Sequence, residues 1–120
     1  MKKKTIVIGA SENPERYSYK AIQMLKQHQH PVVAVGLRKG EVNGTLIHED
    51  RPLEEDVNTV TMYVGPKNQP AYYDYILNLH PERIIFNPGA ENADLENLAK
   101  ENNIEVVYGC TLVMLSIGNY

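Results

Sequence analysis

The sequence predicts an α/β fold, a Rossmann-like three-layer sandwich on a five-stranded parallel sheet. Three observations predict it. Short β-branched apolar runs alternate with amphipathic segments along all 120 residues. The runs are apolar at almost every position rather than every second one, as strands covered on both faces of a parallel sheet must be. Glycine or proline closes each run, where the chain has to turn. The length suits a single domain spanning residues 1–120, with one hydrophobic core.

The first strand is Thr5-Ile6-Val7-Ile8, ended by Gly9. Asn13-Pro14 breaks the chain. From Ser18, Ala21, Ile22 and Leu25 then recur at helical spacing until His30-Pro31 stops the helix. Val32-Val33-Ala34-Val35 is the second strand, closed by Gly36, and completes a βαβ unit. Residues 38–58 carry Gly40, Gly44, Pro52 and the charged run from Arg51 to Asp56, and read as a loop with one helical turn. The third strand is expected over 60–64. A helix follows over 68–79, where Ala71, Tyr72, Tyr75, Ile76 and Leu79 share a helical period. The fourth strand occupies 83–87 and ends on Pro88-Gly89; a helix covers 93–102 with Leu95, Leu98 and Ala99 on one face. The fifth strand, 104–108, closes on Gly109, and Thr111 to Ile117 forms a short terminal helix.

Composition excludes several function classes. Hydrophobic residues make up 42% and charged residues 22%, outside the range of disordered chains. A net charge of -3 removes the basic field that nucleic acid binding needs, so any anion must be held locally. No apolar run approaches the roughly 20 residues that span a bilayer, so no membrane is expected. The basic start Lys2-Lys3-Lys4 is followed by an apolar stretch that breaks at Gly9, which predicts no export signal. The lone Cys110 has no partner for an internal disulfide, and a cytoplasmic protein is expected.

Ligands of open α/β sheets bind beyond the carboxyl ends of the strands. Here those ends read Gly9-Ala10-Ser11, Val35-Gly36-Leu37-Arg38-Lys39, Val64-Gly65-Pro66, Asn87-Pro88-Gly89 and Gly109-Cys110. One such glycine is as readily a plain strand terminator; the recurrence of the pattern favours a ligand crevice. A dinucleotide site would show G-x-G-x-x-G after the first strand and an acid after the second. Neither is present. Arg38 and Lys39 instead favour a phosphorylated ribose, as on NADP or on the 3′-phosphate of coenzyme A, and Arg16 and Lys20 are placed to meet a pyrophosphate. The bland alternative for each is a solvated charge. No metal site is expected: His28 and His30 diverge at a helix end, and His48 and His80 have no partner nearby in sequence. No catalytic residue is expected either. Ser11 lacks the G-x-S-x-G elbow, and Cys110 reads as a buried hydrophobe or as a thiol at a helix start.

The stretch from Ile6 to Pro14, followed by Arg16-Tyr17-Ser18-Tyr19, resembles the opening of the small stand-alone CoA-binding proteins. These are themselves similar to the N-terminal domain of the succinyl-CoA synthetase α subunit. Val35 to Gly40 falls where that domain has a glycine-rich loop with a lysine. Tyr63-Val64-Gly65-Pro66 resembles its tyrosine-valine-proline-proline turn, and Gly109-Cys110 its glycine-proline-asparagine-cysteine element. The resemblance implies that the cofactor is coenzyme A or an acyl-CoA. It implies that Gly9, Ala10 and Ser11 wrap the pyrophosphate or pantetheine through backbone amides and the serine hydroxyl, with Arg16 and Ser18 alongside. Val35, Gly36 and Leu37 would border adenine and ribose, with Arg38 and Lys39 on phosphate. Val64, Gly65 and Pro66 would line the adenine edge, and Asn87, Pro88 and Gly89 the pantetheine arm. The synthetase carries its phosphorylated histidine in a second domain that this sequence does not include, so the resemblance implies binding of a small nucleotide ligand without catalysis. Two other readings stand beside it: an NADP-binding reductase-like domain, and an interaction module that has lost its ligand, its protein partner unknown.

Overall fold

The computed structural model describes residues 2–120. Its strands are β1 (Thr5–Ile8), β2 (Val32–Val35), β3 (Gly40–Val42), β4 (Thr45–His48), β5 (Thr59–Met62), β6 (Arg83–Phe86) and β7 (Glu105–Tyr108). The α-helices are α1 (Tyr17–Gln27), α2 (Tyr73–Leu79), α3 (Ala93–Glu101) and α4 (Thr111–Ile117). One sheet holds all seven strands in the order β3-β4-β2-β1-β5-β6-β7, parallel except for β3, which runs antiparallel to β4. The architecture is Rossmann-like. The expected five-stranded, wholly parallel sheet is corrected to a mostly parallel sheet of seven strands.

The two extra strands come from the segment expected to be a loop. Asn43 (φ +47) and Gly44 (φ +84) form the two-residue turn that suits the twist of a hairpin. Val42 and Ile47 turn inward while Glu41 and Leu46 face out, so each strand shows only alternation over three or four residues. No helical turn forms in 38–58. The helix expected from residue 68 also starts late. Pro70 has no N–H to donate, so the chain passes through two 3₁₀ turns, Pro66–Asn68 and Pro70–Tyr72, before α2.

Alternation along the central strands divides the core. Ile6, Ile8, Val60, Met62, Ile84 and Phe86 face α2 and α3, where Ile76, Leu79, Leu95 and Ala99 cover them. Val7 and Ala34 face the opposite layer, with Ile22 and Leu25 of α1 and Leu115 of α4. The paired strands run in register: Ile8 lies opposite Val35 and Met62, Met62 opposite Phe86, and Phe86 opposite Tyr108. Their carboxyl ends are therefore level, and the turns that follow share one edge of the sheet. At the other edge Tyr120 folds back, its hydroxyl 2.6 Å from Thr5 Oγ1 and its ring 4.6 Å from the Arg83 guanidinium carbon.

Candidate functional site

A cleft of about 1120 Å³ opens at the carboxyl edge of the sheet. Its floor begins at Gly9, where the chain leaves β1 with φ +96 and passes so close to β5 that a Cβ would lie 2.8 Å from the Tyr63 carbonyl oxygen. The amides of Gly9 and Ala10 both donate to Val35 O, at 2.9 and 3.0 Å. Those two amides are therefore not free for a phosphate, which corrects their expected part in wrapping the ligand, whereas the Ser11 amide has no hydrogen-bond partner among the described residues. Ser11 Oγ accepts the Asn13 amide at 3.1 Å. Further free donors lie one turn on. Arg16 caps α1 without any side-chain hydrogen bond, and no acid occupies the first turn, so the positive end of an 11-residue helix faces the cleft uncapped.

Two devices hold the walls. The Glu12 carboxylate lies over Gly40 and takes the Glu41 amide at 3.0 Å, joining the first turn to the hairpin. On the opposite wall the fully buried Gln69 donates from Nε2 to Val64 O and Ala90 O, at 2.8 and 2.7 Å, while its Oε1 accepts from Asn92 Nδ2 at 2.9 Å. The loops after β5 and β6 are thereby fastened to each other. Arg51 reaches the same rim from the crossover after β4 and lies over the Tyr72 ring. Tyr63 closes the floor. Burial, followed by the neighbouring Cys110, pushes its phenol well above the ordinary range, and its buried hydroxyl, beside Thr61 and Thr111, makes no well-formed hydrogen bond among the described residues.

Of the residues singled out in the sequence, Gly9, Ala10, Ser11, Arg16, Ser18, Leu37, Arg38, Lys39, Val64, Gly65, Pro88 and Gly89 line this one cleft. Val35, Gly36, Pro66 and Asn87 do not. Val35 is fully buried in the core. Gly36 is packed against Ala10, whose carbonyl oxygen would stand 2.5 Å from an added Cβ, and Pro66 opens a 3₁₀ turn outside the wall. Asn87 is a strut. Its Nδ2 donates to Thr61 Oγ1 and Met62 O at 2.7 and 2.8 Å, and its Oδ1 accepts the Thr111 amide at 2.9 Å, tying β6 to β5 and to the start of α4. Asn87→Leu should therefore destabilise the fold by about 2–4 kcal/mol through stranded buried polar groups, measurable as a shifted urea midpoint. An unshifted midpoint would show that these groups find other partners.

Lys20 also lies off the cleft, its ammonium 5.5 Å from the centroid of the Tyr17 ring. Sequence reasoning missed Glu12, Ile47, Arg51, Tyr63 and Tyr72, all of which line it. For Ile47 the Asn43-Gly44 turn signal would have served. For Arg51 and Tyr72 no local signal exists, since only tertiary packing brings them together.

Residues 3–116 match the family described as CoA binding domain. A protein of known crystal structure, itself uncharacterised, is 52% identical; the match covers 100% of this chain and 99% of that one, with a TM-score of 0.97. A Thermus thermophilus protein is 21% identical over 99% of this chain and 91% of its own, with a TM-score of 0.87. A conserved hypothetical protein from Pyrococcus furiosus is 24% identical over 92% of this chain and 97% of its own, with a TM-score of 0.80. These last two likenesses show the fold. None of the curated proteins matches the sequence.

Proposed function

We propose that this chain, which belongs to the CoA-binding domain family, holds coenzyme A or an acyl-CoA in the carboxyl-edge cleft and carries out no chemistry on it. The observation that carries the reading is Gly65. This residue lines the cleft with an ordinary φ of -64, and a Cβ added to it would meet nothing within 4 Å. Neither backbone nor packing requires glycine there, which supports a reading in which the open space beside it takes a ligand. Charge supports the same reading: a chain with net charge -3 places Arg16, Arg38, Lys39 and Arg51 around one cleft, against Glu12 and Glu15. Together with the uncapped α1 terminus they suit a ligand with several phosphates. The volume, about 1120 Å³, exceeds the roughly 300–1,000 Å³ usual for small-molecule sites, as a long ligand would need.

The non-catalytic part of the proposal draws on Ser11, whose Oγ accepts the Asn13 amide and has no base within hydrogen-bond reach among the described residues. A thermal melt tests the whole. Coenzyme A at about 100 times its dissociation constant should add roughly 2.7 kcal/mol, and dephospho-CoA should bind more weakly by about 1.5–3 kcal/mol if Arg38 or Lys39 takes the 3′-phosphate. A shift with NADP and none with millimolar coenzyme A would replace this reading with the reductase-like one.

A further inference from the structure

We infer that Arg51 is the platform on which the base of the bound nucleotide stacks. The inference rests on the reading of the cleft as a nucleotide site and adds the residue that recognises the base. Among the four cations of the cleft, Arg16, Arg38 and Lys39 are exposed, and their side chains form no hydrogen bond or ion pair among the described residues. Arg51 is half-buried and fixed. Its guanidinium carbon lies 4.1 Å from the centroid of the Tyr72 ring, and its Nη1 donates to Ala71 O. At that distance the guanidinium is within cation–π reach of the ring, and the Ala71 carbonyl holds its position.

The support beneath it is rigid. Tyr72 is only 4% exposed and belongs to the core beside Ile76, and the Tyr75 hydroxyl donates to Pro52 O at 2.8 Å, pinning the residue after Arg51. No carboxylate pairs with Arg51: among the described residues the ion pairs are Lys4 with Glu54, His48 with Asp50, and Lys100 with Glu96. Its backbone sits at φ +51 directly before a proline, where an extended conformation is strongly preferred. Such strain persists where the surroundings impose it, and it collects at ligand-holding positions.

A guanidinium held over a buried ring offers a planar, delocalised cation, not a flexible point charge. Leu37, Ile47, Val64 and Ala71 contribute uncharged contacts to the same cleft. A flat cation next to apolar side chains fits the π-face of a purine. On the proposed reading the phosphates have their own partners at α1 and at the exposed side chains of Arg38 and Lys39.

The test compares wild type with Arg51→Lys, which keeps the charge and loses the plane. Dissociation constants would be measured by calorimetry for coenzyme A, for AMP, and for 4′-phosphopantetheine, which lacks the nucleotide. We expect Arg51→Lys to weaken coenzyme A and AMP about tenfold or more and to leave 4′-phosphopantetheine unmoved, with the unliganded melting temperature unchanged. Equal binding of coenzyme A by variant and wild type would overturn the inference alone, and so would an equal loss for 4′-phosphopantetheine. Wild type that ignores coenzyme A but binds AMP in an Arg51-dependent way would overturn the CoA reading and uphold the platform. Wild type that binds neither coenzyme A nor AMP would overturn both.

Discussion

Gly9→Val should come close to unfolding the protein instead of merely emptying its cleft. At φ +96 any L side chain is strained, which costs on the order of 1–3 kcal/mol. The new Cβ would also stand 2.8 Å from Tyr63 O and 2.9 Å from Tyr63 C, backbone atoms of the neighbouring strand end that cannot swing aside. Relief would have to move the turn away from β5. That movement would break the bonds from Gly9 N and Ala10 N to Val35 O and from Tyr63 N to Ile8 O. A total loss of roughly 3–5 kcal/mol is expected, a large part of the 5–15 kcal/mol typical of a domain. Urea denaturation followed by circular dichroism measures it. A midpoint equal to wild type would show that the turn relaxes freely.

Gly65→Leu should do the opposite. Its φ of -64 and ψ of 157, directly before Pro66, suit any L residue, and the added side chain meets no protein atom at its Cβ. The unliganded protein should keep its stability within about 0.5 kcal/mol, or gain slightly because the unfolded chain loses freedom. Coenzyme A binding should fall at least thirtyfold, about 2 kcal/mol, because the leucine occupies ligand space. Calorimetry gives the affinity and a thermal melt the fold. Unchanged affinity would place the ligand away from this wall. Taken together, the two substitutions separate a glycine that the fold requires from one that the proposed ligand would require.

Both glycines were legible in the sequence, and the difference between them was not. Each follows an apolar run, and at that level each is a strand end. β1, β2 and β6 were readable because central strands covered on both faces are apolar at nearly every position, while β5 and the half-exposed edge strand β7 were readable from their β-branched residues and the glycines that close them. The hairpin at the sheet edge escaped because Val42 and Ile47 are its only buried apolar residues, and Gly40 looked like a breaker. In the fold Gly40 opens β3 beneath the exposed Glu12 side chain, which an added Cβ would push aside. Most of the cleft followed from the level strand ends, which need no knowledge of packing. Asn87 looked like a ligand contact because a polar residue at a strand end has two uses, facing the cleft or bracing its neighbours. The choice was made by Thr61 and Thr111, distant in sequence.

Gln69 has a consequence for how a ligand would arrive. One buried amide group grips the loops after β5 and β6, and Asn92, which it holds, also donates to the Tyr73 hydroxyl at 2.8 Å and caps α3. The far wall is thus a single body, and these two loops cannot part without breaking several buried hydrogen bonds at once. Association then has no gate on that side: the receptor is already in shape, and most of the ordering entropy falls on the flexible ligand and on the exposed side chains of Arg38 and Lys39. Encounter would be limited by diffusion and orientation, with affinity among related ligands set by how fast each one leaves.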